Sequence, residues 1–172
     1  MRLLHEAVHR LLCTSTWLNE LLGQALSILF WTSFSAVRFG HLLHHRTNRT
    51  EDTTEVYRDQ PHTLSYYCEI LGGFYLIAEL VAPFACWLPT QWTVAKLRRF
   101  SQKTPHKRKT IDALIRVCES QKKRLKLKLE STALAITMAL TILAYHNHAI
   151  LFGVYFMLRA LMVSYYNNMP HY

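Results

Sequence analysis

Gly40-His41-Leu42-Leu43-His44-His45-Arg46 is the stretch whose reading decides how this chain folds. Its three histidines stand at i, i+3 and i+4, which places them on one face of an α-helix. His5-Glu6-Ala7-Val8-His9, starting 36 residues upstream, puts two more imidazoles at i and i+4. Toward the other end, Asn167-Asn168-Met169-Pro170-His171 offers an amide and an imidazole four residues apart. Imidazoles grouped at helical spacing are how a protein presents several nitrogen ligands to one or two transition-metal ions. The candidate metal ligands are therefore His5, His9, His41, His44, His45, Asn167 and His171. The other histidines, His62, His106, His146 and His148, lack partners at ligand spacing and read as structural or solvent-facing, with His146-Asn147-His148 a polar turn.

Around these clusters lie three apolar blocks, Trp17 to Phe39, Leu64 to Leu88 and Ser131 to Tyr166. Each approaches or exceeds the roughly 20 residues that cross a bilayer core. Glu20, Glu69 and Glu79 interrupt two of them. A large soluble helical core is the competing account. Against it, 51% of only 172 residues is hydrophobic, too much apolar surface for so short a chain to hide.

The net charge of +9 is concentrated rather than spread. Between Lys96 and Lys128 there are thirteen Lys or Arg against two acids, Asp112 and Glu119. Such a run in isolation would suit nucleic acid. Flanked by apolar blocks, it reads instead as a cytoplasmic segment obeying the positive-inside rule, with no nucleic-acid partner. Ile111, Leu114, Ile115, Val117 and Cys118 give it an incomplete helical stripe. Either a basic amphipathic helix on anionic headgroups or a solvated connector fits that pattern. Cys13, Cys68, Cys86 and Cys118 show no paired spacing, so neither a disulfide framework nor a zinc ribbon is indicated. Met1 is not followed by the apolar core of a signal peptide. No repeat or linker divides the chain, and a single domain over 1–172 is expected.

The two histidine boxes, with Arg10 and Trp17-Leu18-Asn19 after the first and the polar run Arg46-Thr47-Asn48-Arg49-Thr50 after the second, resemble the membrane fatty acid desaturase and hydroxylase superfamily. Arg159-Ala160-Leu161 and Asn167 to Tyr172 look like the segment that precedes that family's third box, where an Asn and a His join the metal site. The resemblance covers essentially the whole chain. It implies two iron ions and dioxygen acting on unactivated C–H groups. It further implies a lipid or fatty acyl substrate, and electrons from a ferredoxin or b-type cytochrome. Desaturation of an acyl chain is the first expectation; hydroxylation or ketolation of a carotenoid, alkane or sterol is the alternative. Only four residues precede His5 where the family has a transmembrane hairpin, and no third box appears before Tyr172. A fragment lacking both parts, and itself inactive, is the expectation.

What the resemblance implies for architecture is an all-α integral-membrane protein, its histidine-bearing helices meeting at the cytoplasmic face, in a bacterial inner membrane. Boxes that share one metal site are separated by an even number of crossings. Trp17 to Phe39 should then dip into the membrane or lie along it, and Leu64 to Leu88 should be broken, at Gly72-Gly73 or Pro83. Ser131 to Ala144 and Ala149 to Tyr165 form a two-crossing hairpin. Glu6, Asp52 and Glu55 are the nearby acceptors for the ligands' second N–H groups. A different chemistry also matches locally: His5-Glu6-Ala7-Val8-His9 is a zinc-protease motif with Glu6 as general base. That reading leaves the His41 triple idle.

Overall fold

The computed structural model describes residues 2–47, 64, 81–104 and 108–168, and among them every regular element is helical. In chain order these are α1 (Arg2–Val8), α2 (Thr16–Leu29), α3 (Phe34–Thr47), a 3-10 helix (Ala82–Trp87), α4 (Thr90–Lys103), α5 (Arg108–Glu119), α6 (Gln121–Ala144), a 3-10 turn (His146–His148) and α7 (Ala149–Asn168). Most of the Leu64 to Leu88 block lies outside the described residues, with Gly72, Gly73, Asp52 and Glu55; Pro83 falls in the first 3-10 helix.

Trp17 to Phe39 is not one helix. It is broken at residues 30–33, where α2 and α3 meet at 102°. Such a bend agrees with an element that does not cross a bilayer straight, and its local chemistry is readable. Trp31 takes a left-handed φ of 54°, with its N–H on Ile28 O at 3.0 Å and the Thr32 N–H on Ser27 O at 2.9 Å. That pair of bonds is a Schellman ending, in which glycine normally holds the left-handed place. Here a tryptophan holds it, 4% exposed, with its ring on Phe152, Tyr155 and Phe156 of α7. Packing of the indole offsets the strain of its backbone.

Both helix ends at the break are closed by charges from distant elements. Arg159 of α7 donates from Nε to Phe30 O at 2.6 Å and from a terminal nitrogen to Trp31 O at 3.3 Å. Glu130 of α6 accepts from Ser33 Oγ at 2.6 Å, Ser35 N–H at 2.9 Å and Ser35 Oγ at 2.6 Å. A cation thus sits on the carbonyl end of α2 and a carboxylate on the amide end of α3, the favourable sense for each helix dipole. Glu20 extends the connection by pairing with Arg38 of α3 and, at 3.1 Å, with Lys126 of α6.

Packing follows two clusters. Leu4, Ala7 and Val8 of α1 close on Phe34, which is fully buried, with Leu26, Phe30 and Val37 around them. Gly23 is what permits this approach, because a Cβ there would lie 2.6 Å from Phe34 Cε2. The second cluster joins Val94 of α4 to Ile111 and Ile115 of α5, so these two helices form a pair.

The basic segment is not one amphipathic helix. It divides into α4, α5 and the first turns of α6. Ser120 caps α6 by accepting from the Lys123 N–H at 3.5 Å, so that helix starts at Gln121 rather than near Ser131. Arg124 then ties it back to Cys86 O and Leu88 O, each at 3.1 Å, and to Thr90 Oγ1. At 24 residues α6 spans about 36 Å and is apolar enough over 18 of them to cross a bilayer core. Leu140, Ile142 and Leu143 on α6 and Ile150, Leu151 and Val154 on α7 are exposed apolar side chains.

Candidate metal centre

Placement of the histidines follows from the α1–α3 contact. Because Leu4, Ala7 and Val8 turn toward Phe34, the neighbouring positions His5 and His9 come to lie beside the first turns after Gly40 on α3. Asn19, 1% exposed, fixes that relation. Its amide donates to Ala7 O at 2.8 Å and its Oδ1 accepts from Leu12 N–H at 3.1 Å, tying the chain on either side of His9 to α2. Arg10, with φ of 63°, ends α1 in a second Schellman turn, closed by Leu11 N–H on Glu6 O at 2.9 Å. His9 is thereby held at the cap position directly after the last helical residue, Val8.

One ring nitrogen from each of His5, His9, His41 and His45 falls within 4.8 Å of all the others. His41 is the hub: its Nε2 is 2.9 Å from His9 Nε2 and 2.9 Å from His45 Nε2. Two imidazole lone pairs repel at that distance unless a proton or a cation lies between them. Nitrogens bound at about 2.1 Å to one ion stand roughly 3.0–3.4 Å apart in octahedral or tetrahedral geometry. The donor set therefore fits a nitrogen-binding transition metal. Burial, then repulsion from His45, His5, His9 and His44, pushes the His41 imidazole down to about 3, so it is neutral at physiological pH, the form in which an imidazole can bind a metal. His44 stands apart from the four. Its ring stacks on His41 at 6.1 Å between centroids, and its Nε2 is shut off from solvent.

Asn167 lies in the last turn of α7 with its side chain outside the described residues, and His171 is outside them altogether. The local protease motif fares poorly. His41 and His45 join His5 and His9 in one group, and among the described residues the Glu6 carboxylate makes no hydrogen bond or ion pair, to an imidazole or otherwise. Its expected part as an acceptor behind a ligand is therefore not seen. His146 bonds through Nδ1 to Leu143 O at 2.8 Å, as befits a turn residue.

The sequence of the whole chain, residues 1–172, matches the model of the fatty acid desaturase family. It belongs to that family. The fatty acid desaturases are membrane-bound di-iron oxidoreductases of lipid metabolism, and the four-imidazole group falls on the first two histidine boxes of the desaturase pattern. No curated protein and no solved structure matches the chain.

Histidine spacing does not reveal the residues that hold the four-imidazole group in shape: Asn19, Glu20, Glu130 and Arg159. A usable signal was present for Glu20, Glu130 and Arg159. Each is a charged group in or beside an apolar run, and such a group needs a partner to remain there. Asn19 carried no signal of its own.

Proposed function

We propose that this chain is a single desaturase-type membrane domain that introduces a double bond into a fatty acyl chain. In the reaction, hydrogen leaves neighbouring carbons, dioxygen is reduced to water, and a ferredoxin or b-type cytochrome supplies the remaining electrons. Carrying the reading is the convergence of His5, His9, His41 and His45, from two boxes 36 residues apart, in a chain of this family. Iron is the resident metal on this reading, held by these four with His44, Asn167 and His171, and it supplies oxidation of an unactivated C–H bond.

The protein's own contribution is placement. α1 and α3 hold neutral imidazoles at one point, Asn19 fixes the loop after His9, and the Glu130 and Arg159 contacts fix the angle at which α3 leaves α2. On this reading α6, which is long and apolar enough for a span, and α7 are the two arms of a crossing hairpin and the α2–α3 bend is a re-entrant element, which keeps both boxes and Asn167 on the cytoplasmic side with α4 and α5. Positive charge on those two helices suits an acidic electron carrier as well as that face. A bacterial inner membrane accommodates this arrangement. Hydroxylation or ketolation of a hydrocarbon uses the same boxes and is the second reading.

Metal analysis of the protein expressed from its full reading frame and purified in detergent tests the proposal. About two irons per chain, lost when His41, His44 and His45 become Ala, is the expected result. One zinc that survives that triple change but not loss of His5 would overturn it. Lipid product analysis then separates a new double bond from a new hydroxyl or keto group.

A further inference from the structure

The outward face of α4 alternates aromatic rings with cations. Trp92, Lys96, Phe100 and Lys103 recur at i, i+4, i+8 and i+11 and so share one helical face, with Arg99 beside them. The three cations are exposed, as are the rings, Trp92 at 52% and Phe100 at 50%. At 1.5 Å rise per residue the two rings stand about 12 Å apart along the axis. The Lys96 ammonium lies 5.5 Å from the centre of the Trp92 ring, a cation–π contact that keeps ring and charge together. α4 contains no acidic residue. Its opposite face, through Val94 and Leu97, packs on Ile111 and Ile115, so α5 stands behind it.

Contacts with α6 fix the level of this face. Arg124 of α6 donates to Cys86 O and Leu88 O, each at 3.1 Å, and to Thr90 Oγ1, which ties the start of α4 to that helix. Two turns further along α6, Ser131 Oγ accepts from Trp87 Nε1 at 2.9 Å, and the Lys128 ammonium lies 4.9 Å from the centre of the Trp87 ring. From Ser131 onward α6 carries no charged residue. Trp87, itself 55% exposed, therefore stands where α6 passes from charged to apolar. In a crossing helix that level is the headgroup boundary, where tryptophan, with its apolar body and one polar N–H, is enriched.

We propose that the outward face of α4, with the Trp87 corner, binds anionic phospholipids of the surrounding bilayer. Trp92 and Phe100 rest among the upper acyl carbons, and Lys96, Arg99 and Lys103 meet the headgroup phosphates. This surface rests on α6 as a crossing helix, and concerns the lipids around the protein rather than its substrate. Aromatic rings with basic residues are the dress of a helix that lies in the plane of the interface. Long Lys and Arg stems let the charges reach the phosphates while the rings go deeper. Each cation adds to the attraction of an anionic surface, an attraction that a zwitterionic lipid without net charge does not supply. Charge by itself would serve an acidic protein as well; the level of Trp87 against α6 is what favours the bilayer.

Tryptophan quenching in lipid nanodiscs that hold the full chain tests this. The two probes are phosphatidylglycerol and phosphatidylcholine, each brominated in the upper acyl chain. Bromine quenches the rings it touches, and the difference between wild type and Trp92→Phe isolates Trp92. Quenching of Trp92 is expected to be half-complete at a mole fraction of phosphatidylglycerol about fivefold or more below that of phosphatidylcholine. Lys96→Gln with Lys103→Gln should abolish most of that preference with iron content unchanged. Arg108→Gln with Arg116→Gln, which removes the same charge from α5, should leave it intact. Equal potency of the two lipids on the wild-type protein would overturn the proposal. So would an equal loss in the α5 variant, which would assign the preference to diffuse surface charge. Trp92 untouched by either bromolipid and open to aqueous iodide would overturn it too, and leave the face to an acidic soluble partner. Release of the chain from cell membranes by alkaline carbonate would sink the crossing helix and this surface together. Retention without quenching sinks the surface alone, and quenching without iron sinks the desaturase reading alone.

Discussion

Replacing Gly23 by alanine adds one methyl group at the tightest point between α2 and α3. The new Cβ would lie 2.6 Å from Phe34 Cε2 and 2.9 Å from Cε1, and closer still to Cζ. Carbon atoms rest at about 3.5–4.0 Å, so roughly 1 Å has to be found. The ring cannot supply it, since Phe34 is fully buried and walled in by Leu4, Ala7 and Val8. α3 must therefore move off α2. Overpacking of this kind costs about 1–3 kcal/mol, and the helix preference of alanine over glycine returns about 1 kcal/mol. Net destabilisation of up to about 2 kcal/mol is expected. Metal binding should suffer more than stability, because α1 packs on Phe34 and carries His5 and His9 against His41. A shift of 1 Å there breaks the 2.9 Å convergence on His41 Nε2. Thermal unfolding by circular dichroism and iron content of Gly23→Ala, measured together in detergent, report both quantities. Adding Phe34→Leu should restore part of the iron, a coupling that a double-mutant cycle reads directly. A Gly23→Ala protein with unchanged or raised Tm and full iron would refute the reasoning.

Three further outcomes are expected. Asn19→Leu removes the acceptor of the half-buried Leu12 N–H and leaves Ala7 O with only the Arg10 N–H, which should cost about 1–3 kcal/mol and lower iron occupancy; a loss under 0.5 kcal/mol in urea unfolding would show that the amide does not hold the loop. His41 has its proton affinity in the fold lowered from 6.5 to about 3, so below pH 6.5 the unfolded state binds more protons. Its contribution to the stability of the metal-free protein is then complete above pH 6.5 and declines as the pH falls toward 3. The urea midpoint should drop between pH 7 and 4.5 and drop less in His41→Phe; parallel curves for the two proteins would dispose of the idea. Glu130→Gln removes the charge that accepts from Ser33 and Ser35, weakening the start of α3 by about 1–2 kcal/mol. Hydrogen exchange should quicken at Ser35 to Val37, and unchanged protection there would argue against the cap.

The histidine spacing carried the local structure because a face of a helix is a property of neighbours in sequence. His41, His44 and His45 lie on one helix for that reason, and His5 and His9 need only α1 and its last turn. What the spacing could not show is that His44 stands out of the group that His41 and His45 join, since that depends on how α3 rotates against α1. Gly23 and Phe34 set this rotation, and an apolar pattern does not distinguish them from other members of the block. The break at 30–33 was hidden for a related reason. Its left-handed residue is Trp31, where a glycine would have marked the turn, and the ring contacts that compensate come from α7. Likewise the start of α6 at Gln121 reflects a serine cap and the helix-forming lysines after it, while hydropathy alone marks only the apolar part from Ser131.

The charges at the α2–α3 break bear on the order in which the protein is made. Glu130 closes the start of α3 from 95 to 97 positions away, and Arg159 closes the end of α2 from 128 to 129 positions away. Contacts of such separation form late, since the loop between them must be closed first. When the first two histidine boxes leave the ribosome, the helix that carries the second still lacks both of its clamps. An emerging chain therefore offers imidazoles at the right spacing before it can hold them at the right angle. Metal captured at that stage would be bound loosely and exchanged, and firm loading has to wait for the synthesis of α6 and α7.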